Sequence, residues 1–144
     1  MKILKYPNEI LKKEAKKVKD PQSEETQNLI KEMVQTMRSN NGLGLAAPQV
    51  GVSLKLCVIE EGGILYTLIN PKITKTSKET SSAEEGCLSF PGKFIQIERS
   101  EKVTVLYLNE KGERCKIKTS GLLARALQHE IDHLNGILFI NRAK

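Results

Sequence analysis

Both histidines of this 144-residue chain lie in one short segment, QHEIDHLNG (128–136), with a glutamate between them. His129 and His133 are four positions apart, and a helix places residues at this spacing on the same face. The surrounding stretch, SGLLARALQHEIDHLNG, repeats apolar residues at helical spacing, with Ser120 at the N-cap position and Gly136 at the end. The fold must therefore include a helix near the end of this sequence that presents two imidazoles together.

The segment is an H-E-x-x-H motif, in which two imidazoles can bind one metal ion and the carboxylate can move a proton. The alternative is a pair of surface histidines beside a glutamate. The chain has only two histidines, however, and two randomly placed histidines would rarely form this pattern. We therefore predict that His129 and His133 are metal ligands and that Glu130 is the catalytic acid–base. Asp132 is rotated about 100° from His133 on the helix, so we predict that it supports a metal ligand by a hydrogen bond or forms a salt bridge and does not ligate the metal itself.

A catalytic metal site of this type needs a third protein ligand. The eleven residues after His133, LNGILFINRAK, contain no Glu, Asp, His or Cys, so the ligand must come from upstream. Cys87 lies in EEGCLSFPG, whose glycines and proline indicate a loop or a strand end. This context fits a buried structural cysteine and a ligand equally well, and the lack of a downstream ligand favours ligation.

Of the other two cysteines, Cys57 is predicted to be structural and Cys115 to be structural or incidental. An odd count of three argues against a disulfide framework. Cys57 lies in an apolar strand-like run and is expected to be a small buried residue, whereas Cys115 alternates with charged residues and has no evident partner.

The segment GLGLAAPQVG (42–51) combines small residues with one polar side chain, that of Gln49. Its glycines allow another backbone to approach closely. Gln49 could present its amide NH2 group to an oxyanion, or it could be a hydrogen-bonded residue in a tight connection packed on the core. The segment alone does not separate these alternatives.

The remaining patterns predict an α+β fold: a single domain with antiparallel or mixed β-sheets packed around the central metal-binding helix, plus an N-terminal helix. Ser23 is a plausible N-cap of that helix, and apolar residues from 29 to 37 repeat at helical spacing. Strands are expected within KLCVIEE, ILYTLIN, KITKTSKET, FIQIE and KVTVLYLNEKGERCKIKT, the last with a hairpin turn at 109–112. No βαβ alternation is visible.

Composition narrows the functional classes. The net charge is +6, but the lysines are spread along the chain with one local cluster at 11–19, there is no Trp, and aromatic residues make up 4%. Specific nucleic-acid recognition is therefore not expected. The N-terminus has no apolar signal region and no run is long enough for a membrane span, so we predict a cytoplasmic protein that does not contact membranes.

Taken together, GLGLAAPQ (42–49), EGCLS (85–89) and QHEIDH (128–133) resemble the three motifs of the peptide deformylases, in the family's order and at similar separations. These enzymes remove the formyl group from the N-terminal methionine of new bacterial proteins and release formate. The resemblance spans nearly the whole chain, which we treat as one catalytic domain, 1–144.

The resemblance implies a role for each matched residue. Cys87, His129 and His133 would hold one divalent metal ion, and Glu130 would be the general acid–base. Gln49 and the backbone N–H of Leu88 would form the oxyanion hole. The substrate contacts implied are the backbones of Leu43 and Gly44, the strand at Glu85 and Gly86, and a methionine pocket lined by Leu122, Arg125 and Ala126 with His129.

The family is generally an Fe(II) enzyme, and Zn(II), Ni(II) or Co(II) also suits one sulfur and two nitrogens. The resemblance implies that the substrates are nascent formyl-methionine peptides. It also implies a monomeric enzyme that associates weakly with the ribosome. Two departures are visible. The C-terminal helix that helps some members dock on the ribosome is not present in this sequence, and Phe94 stands where many members carry an Arg near the substrate.

Three alternatives remain at this level. A metalloprotease shares H-E-x-x-H but would lack its downstream ligand here. A non-catalytic metal-binding or ribosome-binding module would fit the basic charge but not the placing of Glu130 and Gln49 with the ligands. A relative without activity would still bind metal.

Overall fold

A computed structural model describes residues 1–143 of the chain. These residues contain two α-helices, seven β-strands and three short 3-10 helices. The α-helices are α1 (Glu24–Ser39) and α2 (Gly121–Leu134). The strands are β1 (Gly44–Ala46), β2 (Leu56–Glu61), β3 (Ile64–Thr76), β4 (Thr80–Cys87), β5 (Phe90–Ser100), β6 (Lys102–Leu108) and β7 (Arg114–Ser120). The 3-10 helices are Glu9–Lys12, Ala47–Val50 and Phe139–Arg142.

Five strands form one sheet in the order β1-β2-β3-β6-β7, and β4 and β5 form a separate two-stranded sheet. Every pairing between these strands is antiparallel. The chain is therefore α+β, as the sequence predicts, because hairpin connections rather than crossover helices join its strands.

The two α-helices cover opposite faces of the five-stranded sheet. Helix α2 packs against the face that carries Cys57, Ile59, Leu68 and Val105. Helix α1 packs against the other face, where residues from β1, β2 and β3 meet its buried methionines Met33 and Met37. The burial of α2 on the sheet fixes the orientation of its two histidines relative to the strands.

The two-stranded sheet lies against the C-terminal end of the described chain. Phe90 and Ile97 of β5 share a small core with Leu138 and Phe139 of the last 3-10 helix. Ile97 also forms a β-bridge with Ala143. These contacts hold β4, and with it Cys87, beside α2.

The helix predictions are confirmed in detail at α1, where the Ser23 side chain accepts a hydrogen bond from the Thr26 N–H. Ser120 does take the N-cap position of α2, but its side chain forms no capping hydrogen bond. Cys57 is fully buried, as the sequence predicts, and Cys115 is half-buried.

The sequence patterns missed several elements. Strand β3 is one continuous strand that includes both ILYTLIN and KITKT, with register irregularities near Asn70. Strand β1 lies inside the segment GLGLAAPQVG (42–51), for which no strand was predicted, and β4 lies in a stretch too polar to show strand alternation. No helix among the described residues is long and apolar enough to cross a membrane.

Candidate active site

The C-terminal part of α2 places two imidazoles in the interior. His129 and His133 are 8% and 1% exposed, and their ring centroids are 5.1 Å apart. Burial beside His129 and Arg99 holds the pKa of His133 well below its usual value, so this imidazole stays neutral and keeps a lone pair for a metal ion.

Cys87 is the last residue of β4 and brings its thiol to the same point. Its Sγ lies 3.3 Å from Nε2 of His133. One donor atom from each of Cys87, His129 and His133 can be chosen so that all three lie within 4.8 Å of one another. The structure thus brings together the three residues that the sequence proposes as ligands, from two elements far apart in the chain.

This donor set fits a metal ion. An ion about 2.3 Å from sulfur and about 2.0 Å from nitrogen in tetrahedral geometry keeps its ligand atoms about 3.5 Å apart. The Cys87–His133 distance is close to this value, and three protein ligands leave a fourth position for water or substrate. Sulfur with two imidazole nitrogens suits Zn, Fe, Ni or Co.

Glu130 lies beside the candidate ligands. Its carboxyl group is buried, and one of the two oxygens has no hydrogen bond from residues 1–143 to offset the loss of water. Its side-chain Oε1 has no hydrogen-bond partner among the described residues. Burial raises the pKa of Glu130 to about 7, against the charges of His129 and Arg99, which lower it. A carboxyl group poised near neutral pH can both accept and return a proton.

Gly44 on β1 gives Glu130 its space. A Cβ at this position would lie 2.7 Å from Oε2 of Glu130. Gly44, the second glycine of GLGLAAPQ, is therefore required because β1 passes close to the Glu130 carboxylate.

Gln49 is held with its amide group beside the thiol. Its Oε1 accepts a hydrogen bond from the Ala46 N–H at 2.9 Å, which fixes the side chain in one orientation. Its Nε2 then donates to Ser89 Oγ at 3.2 Å and faces Cys87 Sγ at 3.6 Å. Leu88, whose N–H follows the Cys87 carbonyl, lies in the short connection between β4 and β5.

Glu85 has a role that sequence reasoning did not assign to it. Its carboxylate accepts hydrogen bonds from Nδ1 of His129 at 2.9 Å and from Arg99 and Arg125 at 2.7 to 2.9 Å. Burial raises the pKa of Glu85, but the hydrogen bonds from His129 and Arg99 outweigh it and hold the pKa at about 2. The carboxylate thus orients the imidazole so that its Nε2 faces the metal position.

This network continues through Arg99, Asp132 and Arg142. The sequence patterns did not predict that these three residues meet. Arg99 Nη1 donates to Asp132 at 2.8 Å, and Arg142 donates to both oxygens of Asp132. Asp132 therefore forms salt bridges and does not ligate, as its position on the helix predicts. No spacing in the sequence signals that Arg99 and Arg142 meet at this point, because they come from β5 and the last 3-10 helix.

A cleft of about 520 Å³ opens onto these groups. Of the site residues predicted from the sequence, only His133, which lies beneath the cleft, does not line it. The others all do: Leu43, Gly44, Gln49, Glu85, Gly86, Cys87, Leu88, Leu122, Arg125, Ala126, His129 and Glu130. Phe94 lines it as well, 65% exposed, with its ring against Gly86. Arg125 turns its guanidinium away from open solvent, onto Glu85 and the carbonyls of Ile97 and Ser81.

Comparison with known proteins is consistent with this geometry. The family model described as polypeptide deformylase matches residues 1–144. A peptide deformylase of Thermodesulfovibrio yellowstonii is 48% identical over 99% of this chain and 88% of its own length. The crystal structure of the Thermotoga maritima enzyme superposes with a TM-score of 0.97 at 43% identity, covering 99% of this chain and 97% of that one. A Met-Ala-Ser-bound class I type b enzyme from Acinetobacter baumannii has a TM-score of 0.93 at 37% identity, covering 99% and 97%.

Proposed function

The chain belongs to the polypeptide deformylase family, and on this premise we propose how its own residues remove the formyl group from the N-terminal methionine of newly synthesised proteins. The observation that carries the assignment of roles is the meeting of Cys87, His129 and His133 beside Glu130 at the base of one cleft.

Glu130 is the acid–base of the reaction. A divalent ion held by the three ligands would, when bound, polarise the formyl carbonyl and lower the pKa of water toward about 7. Glu130 takes a proton from the water that attacks the formyl carbon, and no described residue forms a hydrogen bond with its Oε1 that would compete for this proton. It then returns the proton to the departing amine of methionine, and formate leaves.

The oxyanion that develops on the formyl oxygen needs donors in fixed positions. The Gln49 amide, oriented by the Ala46 N–H, supplies one donor, and the Leu88 backbone N–H supplies the other. Each such donor contributes about 3 to 4 kcal/mol of transition-state stabilisation in comparable sites.

The substrate peptide adds as a strand between two free sheet edges. Within residues 1–143, β1 pairs only with β2 and β4 only with β5, so each has one edge open to the cleft. The backbones of Leu43 and Gly44 bind one side of the extended peptide and those of Glu85 and Gly86 bind the other. Leu122, Arg125, Ala126 and His129 enclose the methionine side chain.

Phe94 influences the residues after methionine. Its exposed ring covers Gly86 at the mouth of the cleft, where many family members carry an Arg. Peptides with apolar residues after methionine therefore bind better than acidic ones.

We propose Fe(II) as the native ion, with Zn(II), Ni(II) and Co(II) as functional substitutes. Metal analysis of protein purified without oxygen tests this, and a preparation that contains only zinc would contradict it. Because its substrates are nascent chains, we also propose that the enzyme acts as a monomer in the cytoplasm, in weak contact with ribosomes.

The deciding experiment compares formyl-Met-Ala-Ser with acetyl-Met-Ala-Ser on protein loaded with each metal. We expect a free methionyl amine from the formyl peptide only, because a formyl carbon bears hydrogen and fits a site crowded by Cys87. No product from the formyl peptide with any metal would refute the assignment.

Glu130→Gln is the matched variant. It should keep its metal content and lose kcat by about 10² to 10⁴-fold, because the amide cannot transfer the proton. Full activity in this variant would show that Glu130 is not the acid–base.

A further inference from the structure

Three strands of the large sheet carry an unusual set of charges. Strands β3, β6 and β7 contain no Asp or Glu, and they carry six cationic residues, all exposed: Lys72, Lys75, Lys102, Arg114, Lys116 and Lys118. None of the six forms an ion pair with another described residue. A solvated sheet face normally mixes both signs of charge, so this one requires an explanation.

All six lie on one face, which we call the basic face. Directly paired residues of neighbouring strands share a face, and Lys72 pairs with Leu106, which pairs with Lys116. Lys75 and Lys118 both pair with Thr104. The residues that alternate with these on β6, Val103 and Val105, point the other way into the core under α2.

The basic face accounts for the whole charge excess of the protein. The chain has 23 basic and 17 acidic residues, a net charge of +6, and the face holds six cations. The rest of the molecule is therefore neutral overall. The sheet thus brings five lysines and one arginine, which are dispersed along the sequence, onto one surface.

Holding these charges together costs free energy. Lys75 and Lys118 are two strand spacings apart, about 9.6 Å, which is close to the Debye length of about 8 to 10 Å in physiological salt. Their repulsion is therefore only partly screened, and a polyanion bound across the strands would remove it.

We propose that the basic face binds the phosphate backbone of RNA without regard to sequence. Cations at alternate positions of a strand are about 6.6 to 6.8 Å apart, which gives a two-dimensional array suited to a row of phosphates. The outward positions on these three strands carry no aromatic residue at which bases could stack, so backbone contacts dominate.

RNA fits this face better than an anionic membrane does. The only large apolar side chain exposed among the cations is Leu106, 45% exposed, and one such residue gives little insertion into lipid. The choice of RNA also rests on the proposed function, because nascent peptides emerge at the RNA-rich surface of the ribosome.

Binding at this face leaves the enzyme free to work. None of the residues that line the catalytic cleft belongs to β3, β6 or β7. The sheet separates the basic face from α2, so a bound polyanion does not obstruct substrate entry.

The test measures the affinity of a fluorescein-labelled RNA duplex for the metal-loaded enzyme over a range of salt concentrations. Lys116→Glu/Lys118→Glu should bind RNA at least about tenfold more weakly, with a salt slope smaller by about two. The matched control, Lys17→Glu/Lys19→Glu, changes the net charge equally on the exposed N-terminal segment and should bind like the unmodified enzyme.

Cleavage of a short formyl peptide is measured on the same samples and should not change in either double variant. This separates failure of the RNA proposal from failure of the proposed catalytic function. Equal weakening by the control pair, no detectable RNA binding, or binding to phosphatidylglycerol vesicles but not to RNA would each overturn the proposal.

Discussion

At the scale of single residues, the site depends on one carboxylate that is buried without full hydrogen bonding. Glu130 is 5% exposed, and its pKa is raised to about 7 because burial disfavours the charge. The Glu130 carboxylate packs directly against Gly44, because the absence of a side chain at Gly44 leaves room for Oε2. The acid–base role that we propose for Glu130 therefore depends on the space that Gly44 leaves beside it.

Gly44→Ala should separate activity from folding. The new Cβ would meet Oε2 and force the end of the Glu130 side chain to move, while the backbone of β1 stays paired with β2. We expect kcat to fall by about 10²-fold, because a displacement of about 1 Å at a reacting group costs this much.

Circular dichroism and metal analysis supply the control for this variant. The melting temperature should change by only a few degrees and the metal content should stay the same. An alanine variant with unchanged kcat would show that the carboxylate has more freedom than its surroundings suggest.

At the scale of elements, the last 3-10 helix is tied to the active site by charge. Arg142 donates to both oxygens of Asp132, which lies on α2 between His129 and His133, the two candidate metal ligands of this helix. Asp132 also accepts from Arg99, which holds Glu85. The short helix Phe139–Arg142 thus closes a chain of ion pairs that ends at His129.

Arg142→Gln should destabilise the protein more than the same change at an exposed ion pair. Asp132 would keep only Arg99 as a cationic partner, and we expect the free energy of unfolding to fall by about 1 to 2 kcal/mol. Arg38→Gln removes the surface pair with Glu60, which solvent screens, and should reduce the free energy of unfolding less than Arg142→Gln does. Urea unfolding of both variants makes the comparison, and equal losses would show that Asp132 does not depend on Arg142.

At the scale of the whole molecule, two buried carboxylates make stability depend on pH in opposite directions. Glu85, with its pKa lowered to about 2, stabilises the fold above its unfolded value, and this contribution is lost as the pH falls toward about 2. Glu130, with its pKa raised to about 7, holds a proton more tightly when folded than when unfolded. Its charge therefore reduces stability as the pH rises from about 4.5 to about 7.

Glu130→Gln should remove the second of these effects in metal-stripped, reduced protein. Between about pH 5 and about pH 8, the unmodified protein should lose up to about 3 kcal/mol of unfolding free energy relative to the variant. Urea unfolding at the two pH values measures the difference. Parallel pH profiles for the two proteins would show that the Glu130 carboxyl does not carry the shifted pKa.

The sequence alone predicted the candidate metal-binding residues of this protein and the helices α1 and α2. The spacing of His129 and His133 requires a helix, the lack of a ligand after His133 points upstream to Cys87, and helical periodicity with a Ser23 cap specifies α1. These properties can be predicted because they depend on residue types and local spacing.

Only the tertiary structure decided which distant residues meet. Arg99, Asp132 and Arg142 form one network, β1 and β4 offer their free edges to the cleft, and six scattered cations share one face. The physical reason is that long-range pairing and register of strands decide these neighbours. A shift of one residue in β6 would turn Lys102 and the core residues Val103 and Val105 to the opposite faces without changing any local pattern.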